Sequence, residues 1–280
     1  MKRNSVITAL FIICVLILSG CGHKNYMKID VSTAAIDGES MSSATGAQNP
    51  GNTESPDGKA LALENETSRA DSAARISTVI HTYEEGKVSI EYPSITGLED
   101  GEKEKKINAL LKSNALEIQK ACSVNPKSDS LSITAKIISA DRKRITATYT
   151  GLLSGEGAAH PVHLFFTNTV DISQAKDISL TDYADPRGLA EYIRSSDCQF
   201  NDTSPELTEA LLPYLAETSQ EAYVKMFQNA DFPLKAEGPD NTSVFPESFS
   251  YEDHGTIIVS VPVPHSLGDF ALIKYTPETK

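Results

Sequence analysis

The chain has 280 residues and a mass of 30.2 kDa, with 40% hydrophobic and 22% charged residues, the composition of an ordinary soluble domain with enough length for a sizeable core. Twenty-five Lys and Arg against 38 Asp and Glu leave a formal charge of −13, which argues against a nucleic-acid binder, since such proteins carry a basic face. Trp is absent and aromatic residues make up 7%, which counts against a Trp-lined sugar platform.

The first segment decides the expected compartment. Lys2 and Arg3 form a basic start, and the apolar run Thr8–Leu18 is shorter than the roughly 20 residues a membrane-spanning helix needs. A basic start and a short apolar run read as a secretory signal over residues 1–20. The run ends in Leu18-Ser19-Gly20-Cys21, which resembles a bacterial lipobox. Small residues let an extended backbone enter a peptidase cleft, and Cys21 supplies the thiol for a diacylglycerol thioether. The expected product is a lipoprotein on the extracytoplasmic face of the cell membrane, anchored through lipid at Cys21. Loss of Lys2 and Arg3 leaves 23 basic and 38 acidic residues, a net charge of −15. Such a charge favours solubility and draws basic partners at long range in a salt-dependent way.

Residues 21–74 read as a disordered tether. From Ser32 to Ser72 the chain is rich in Ser, Thr, Ala, Gly, Asn and acids and has no aromatic residue, so it cannot bury enough apolar surface to offset chain entropy. About 50 residues of flexible coil reach on the order of 40 Å.

Order is expected over residues 75–280. Ser77–Tyr83 and Lys87–Tyr92 alternate and carry β-branched residues around Glu85-Gly86, the pattern of a hairpin. Glu102–Ala121 places Ile107, Leu110, Leu111, Leu116 and Ile118 at helical spacing. Leu131–Ile138 and Arg144–Thr150 predict a second strand pair around Asp141–Lys143, and His163–Ile172 a further strand. Pro186–Ser195 predicts a short helix. A longer one begins at Thr203-Ser-Pro-Glu206, where Thr203 and Glu206 fit a capping box and Pro205 sits in the first turn. Pro213 is expected to kink or split it. Ser248–Tyr251, Thr256–Val261 and Phe270–Tyr275 close the chain as strands. This order predicts an α+β fold, an antiparallel sheet with helices packed on it.

Catalytic signatures are sparse. Ser154 in Gly151-Leu-Leu-Ser-Gly155 misses the G-x-S-x-G spacing by one residue, and H-E-x-x-H is absent. His160-Pro161-Val162-His163 is the one close histidine pair. The residue before Pro is extended, and in a strand positions three apart face opposite ways, so His160 is expected to fix the loop through a hydrogen bond while His163 faces solvent, with no metal held. The acid pairs Glu84/Glu85, Glu99/Asp100, Asp182/Asp185 and Glu252/Asp253 fall at turns, where carboxylates are solvated. Gly155 and Gly157 permit close backbone approach, but a phosphate cradle would need a following helix with Lys, and a strand follows here, so no cofactor is expected. Cys14 falls in the signal and Cys21 takes lipid. Cys122 and Cys198 remain in an exported chain, where they could form one disulfide or stand as two unrelated small buried residues.

The segment around Gly157 resembles a known family, the extracellular module of RsiV-type anti-sigma factors and the N-terminal module of PdaC-type peptidoglycan deacetylases. Tyr149 matches the family's strand Tyr, and Gly157-Ala158-Ala159-His160-Pro161 matches its Gly-Gly-Ala-His-Pro loop, with Ala158 where Gly is usual. Asp171-Ile172 and Lys176 match the next step, with Ala175 where Gly is usual. Leu180, Asp182 and Tyr183 match a Leu-x-Asp-aromatic step, and Gly268 before Phe270–Tyr275 fits the module's ending. The resemblance implies an α+β module that binds an extracytoplasmic ligand. In the RsiV-type relatives that ligand is lysozyme, a basic protein suited to an acidic chain. With no segment expected before the anchor and no appended deacetylase domain, neither sigma-factor capture nor deacetylation carries over. The sequence therefore predicts a lipid-anchored binding module for a lysozyme-like protein or a cell-wall glycan. Gly155, Gly157, His160, Pro161, Asp182 and Tyr183 are its candidate binding residues. An envelope hydrolase, or a structural module docking on another envelope protein, stands as the alternative.

Overall fold

The structure is a computed structural model that describes residues 76–237 and 242–277, all within one compact unit, Glu66–Lys280. The expected signal segment, Cys21 and the tether lie outside the described residues.

Six strands form the first sheet in sequence order: β1 (Ser77–Glu85), β2 (Val88–Thr96), β3 (Ser130–Ala140), β4 (Arg144–Ser154), β5 (Val162–Asp171) and β6 (Lys176–Asp177). The β1–β2 hairpin turns at Gly86-Lys87, where Gly86 takes φ +57° and the Lys87 N–H donates to the Pro126 carbonyl at 2.9 Å. Helix α1 (Gly101–Ala121) starts at Asp100, whose carboxylate accepts from the N–H groups of Glu102 and Lys103. Glu102 and Glu104 in its first turn and Lys120 in its last suit the helix dipole. Its buried stripe, Ile107, Leu111, Asn114, Ala115 and Ile118, follows the 3.6-residue period. Because α1 is a crossover, β2 and β3 run parallel, Val88 beside Leu131 and Ile90 beside Ile133, while every other pairing in the sheet is antiparallel. The sheet is thus mixed at one joint, a departure from the uniformly antiparallel expectation that follows from the helix between those two strands.

The second half builds another layer. After a 3-10 turn (Leu180–Asp182) come α2 (Pro186–Ile193), β7 (Gln199–Phe200), α3 (Pro205–Glu217), α4 (Gln220–Gln228), a small hairpin of β8 (Lys235–Glu237) and β9 (Thr242–Val244), then β10 (Ser250–Asp253), β11 (Thr256–Pro262) and β12 (Phe270–Tyr275). The order β10-β11-β12-β7 makes a second, antiparallel sheet. Its strands share a core with α2, α3 and α4, including Leu189, Ile193, Leu211, Leu215, Phe227, Val259 and Ile273. The α+β class holds, with two sheets where one was expected.

Two local expectations change. Ser204, not Thr203, caps α3, accepting from the Leu207 N–H at 3.3 Å, while the Thr203 hydroxyl donates back to the Asn201 carbonyl. Helix α3 runs through Pro213; the chain breaks at Thr218 instead, where the backbone turns extended and Ser219 caps α4 through the Ala222 N–H. An N-cap is worth about 1 kcal/mol, enough to set where a new helix starts.

Gly86 is the tightest turn position. A Cβ there would sit 2.3 Å from the Pro126 carbonyl oxygen in a left-handed conformation. Gly86→Ala is expected to lower unfolding stability by about 2 kcal/mol or more in chemical denaturation. Gly101→Ala, where a Cβ meets nothing within 4 Å, should be neutral or slightly stabilising.

Candidate functional site

The loop between β4 and β5, residues 155–161, is the exposed part of the sequence-named set. Gly157 takes φ +76°, the conformation its lack of a Cβ permits, whereas Gly155 stays out of the left-handed region. Asp129 holds the loop from below: its carboxylate accepts from the Glu156 N–H at 2.9 Å and from the Asn125 N–H at 2.8 Å. Those backbone donors, Asn125 first, depress its pKa below the ordinary carboxylate value. His160 does not hydrogen-bond the loop as expected. Its ring stacks on His265 at 5.3 Å. His265 Nδ1 lies 3.0 Å from Asp269 Oδ1, and Asp269 Oδ2 accepts from the His163 backbone N–H at 2.8 Å. Partial burial pushes the Asp269 carboxyl up, but the His163 N–H and the His265 ring outweigh it and leave the pKa lowered. The β11–β12 turn therefore meets the β4–β5 loop through a histidine stack and one shared carboxylate.

Beside this junction runs a surface groove of about 330 Å³ lined by Ser132, Thr134, Thr150, Gly151, Leu152, His163, Leu164 and Phe270. Strand register explains the lining. Ser132, Leu152 and His163 are cross-strand neighbours, as are Thr134 and Thr150, so their side chains share one face. Gly151 lets β3 pass so close that a Cβ would fall 2.0 Å from the Ser132 carbonyl oxygen. Leu152 on the groove face is 43% exposed, and Val162, opposite Leu153 and so on the other face of the sheet, 42%, two of five large apolar side chains left exposed among the described residues. A second, largely apolar hollow of about 280 Å³ lies between α4 and β9, lined by Ala222, Met226, Val244, Phe245 and others; no sequence-named residue reaches it.

Asp182 and Tyr183 do not join the loop. Asp182 caps its own 3-10 turn, accepting from the Ser179 N–H at 2.8 Å. Tyr183 points inward, and its hydroxyl donates to Ser250 Oγ, which in turn donates to Asp231. The Asp231 carboxyl also accepts from the Ser250 N–H at 2.6 Å and the Leu180 N–H at 2.8 Å, while the Thr167 hydroxyl donates to the Ser250 carbonyl at 2.7 Å. Asp231 is buried, and burial pushes its pKa up to about 7 against the pull of its donors. The family-motif positions thus divide between an outward loop and an inward network.

A second buried acid sits under α1. Asp177 Oδ1 accepts from Asn114 and Asn168, each at 2.9 Å, and burial raises its pKa to about 6. Tyr149, the matched strand tyrosine, is buried beside Phe166 at 4.4 Å between ring centroids, and its hydroxyl has no hydrogen-bond partner among the described residues. Tyr149 is therefore a core residue, its pKa raised by burial and then by the Asp177 charge.

The remaining named features separate cleanly. Cys122 and Cys198 are free thiols in two different hydrophobic clusters, so the disulfide reading gives way to that of two unrelated small residues. Burial pushes the Cys198 thiol up to about 12, far from a reactive thiolate. Ser173 and Lys176 share the spacing of a serine–lysine nucleophile pair, a match the sequence reading missed. Ser173 instead donates to Asp171 Oδ1 at 2.6 Å in an exposed turn. Among the described residues no group of three or more His, Cys, Asp or Glu is placed to hold a metal ion, and no helix is long and apolar enough to cross a membrane.

No family model and no curated protein sequence matches the chain. Among solved structures it is similar to a DUF3298 family protein from Bacteroides fragilis, with 12% identity, a TM-score of 0.38, and coverage of 73% of this chain and 91% of that one. It is also similar to a DUF3298 family protein from Pseudomonas aeruginosa, with 12% identity, a TM-score of 0.37, and coverage of 72% and 89%.

The two buried acids respond differently to substitution. A carboxyl whose pKa is raised on folding stabilises fully below its unfolded value, near 4, and loses that contribution as pH rises through its folded value. For Asp177 the loss runs from about pH 4 to just above its folded pKa of about 6. Asp177→Asn keeps an oxygen that accepts from Asn114 and Asn168. Its stability relative to wild type should rise from near zero at low pH to on the order of 2 kcal/mol at pH 8, read from urea midpoints. Asp231→Asn should instead cost about 3 kcal/mol or more below about pH 4, because an amide has one accepting oxygen and leaves a buried donor unpaired, and that cost should shrink as pH rises through about 7, where the wild-type carboxyl loses its own contribution.

Proposed function

We propose that the chain is a lipid-anchored envelope protein whose α+β module binds a basic, lysozyme-like protein on its extracytoplasmic face. The lipobox at Cys21 supports the location, and the family-like loop supports the binding class. The observation that carries the reading is the junction itself. Exposed Leu152 lies beside a stacked histidine pair, a shared carboxylate and a shallow groove, with Leu164 and Phe270 in the groove lining. A protein ligand needs apolar anchors ringed by polar groups, and this surface presents both. The excess of 38 acidic over 25 basic residues favours a basic partner. An enzyme of the hydrolase class would want a nucleophile, a base and an orienting group together in a pocket. Here the histidines and Asp269 lie at an open surface, and the buried Tyr183–Ser250–Asp231 relay is enclosed by protein.

The test is retention of lysozyme and, separately, of peptidoglycan by the immobilised chain. Lysozyme should be retained at low salt and released by roughly 0.5 M salt, since steering between opposite charges is screened. His160→Ala and Leu152→Ala should each weaken retention about five- to tenfold with no change in thermal midpoint, as for truncated interface anchors. Retention of peptidoglycan alone would move the reading to a glycan binder, and retention of neither would overturn it.

A further inference from the structure

Among the described residues, strand β1 is an edge of the first sheet, paired on one side only, with β2. Its nine residues, Ser77-Thr-Val-Ile-His-Thr-Tyr-Glu-Glu85, register against β2 without a bulge, and Ser77–Tyr83 contains no charge, Pro or Gly. Val79 and Ile80 are 48% and 39% exposed. Natural edge strands are guarded by charge, proline, bulges or shortness; β1 has none of these along Ser77–Tyr83, so it is built to be covered.

The backbone shows which groups face out. Ile95 of β2 uses its N–H and C=O on the Asn108 side chain of α1, at 2.8 and 2.9 Å, so both point away from β1. Residues directly opposite in an antiparallel pair share their hydrogen-bonding state. Thr78, opposite Ile95, therefore turns its backbone groups outward, as do Ile80, Thr82 and Glu84 by the two-residue period.

We propose that β1 is a homotypic interface. Two copies pair antiparallel, edge to edge, about a two-fold axis through Ile80, merging their first sheets. Two features select a second copy and this register. Antiparallel self-pairing satisfies outward groups on both partners at once, because Thr78, Ile80 and Thr82 of one copy meet Thr82, Ile80 and Thr78 of the other. A two-fold pairing is also self-limiting: it uses up the β1 edge of both copies, so the same contact cannot be repeated.

Register-specific cysteines test this on the full chain, read on non-reducing gels after mild oxidation. Hydrogen-bonded opposite residues lie about 5.5 Å apart between Cα atoms, inside disulfide range. Ile80→Cys should form a covalent dimer in most of the chain, with the wild-type chain at background. Thr78→Cys alone should stay at background, because it lies about 13 Å from its own copy across the axis. Thr78→Cys with Thr82→Cys should restore the dimer. Ile80→Lys, which puts like charges face to face, should raise the dimer dissociation constant of the detergent-solubilised chain about tenfold or more, with an unchanged circular dichroism spectrum. A monomeric wild-type chain in sedimentation, or equal cross-linking at positions 78 and 80, would overturn the proposal.

Discussion

A single carboxyl group fastens the two layers of this module. Thr146, Thr148, Thr167 and Thr169 form a buried polar patch on one face of β4 and β5, a surface that an apolar layer could cover only by leaving hydroxyls unpaired. Asp231 answers that constraint. It sits at φ +61°, just before Phe232, and reaches at once the first residue of the 3-10 turn and the start of β10, both through backbone N–H groups. The Thr167 hydroxyl closes the arrangement on the Ser250 carbonyl, so β5, β10 and the turn are held by one connected set. At the far end of the same interface Arg144 of β4 meets Glu252 of β10 at 2.9 Å, half-buried and correspondingly weaker. Buried polar sets of this kind specify one arrangement because a partly satisfied alternative is worse than none.

That constraint divides the motif. Once Tyr183 is spent on the Asp231 relay, the aromatic step after β6 is architecture, and only the loop after β4 remains free to meet a ligand. The two lie at separate places on β5: Thr167 is five residues from Val162, about 17 Å along the strand. The same face of the sheet is therefore sealed by the second layer at one end and open at the other, where Leu152, His163 and Phe270 line the groove. The position of the exposed surface follows from how far the second layer extends along the strands.

Much of this was legible from the chain alone. Strands with β-branched alternation and the stripe of α1 appear within a few residues of their expected ends, because period and capping are local properties. The short pieces escaped. Strand β6 has two residues and β7 two, too few for any period, and exist because a longer strand offers them a ladder. Pro213 misled, since the loss of one N–H is tolerated when Leu211 and Leu215 on either side are buried. The site was half visible. His160 and the loop glycines could be named, but His265 and Asp269, about a hundred residues on, meet them only through the fold. Asp231 carried one faint signal, a lone acid between Ala230 and Phe232 in an otherwise apolar stretch.

The loop junction and the β1 edge also differ in the physics that governs them, which gives a way to tell them apart. A basic ligand is drawn to an acidic chain by charge, so salt weakens that contact at every range beyond a Debye length of about 8 Å. Two copies of a chain at −13 repel one another at the same range, and strand pairing gains its backbone hydrogen bonds only at contact. Salt screens that repulsion while leaving the ladder nearly untouched. Self-association through β1 should therefore strengthen over the same ionic-strength range in which a basic ligand is released. A chain whose two associations fell together with salt would have to use one acidic surface for both, and the uncharged run Ser77–Tyr83 would then have no part in either.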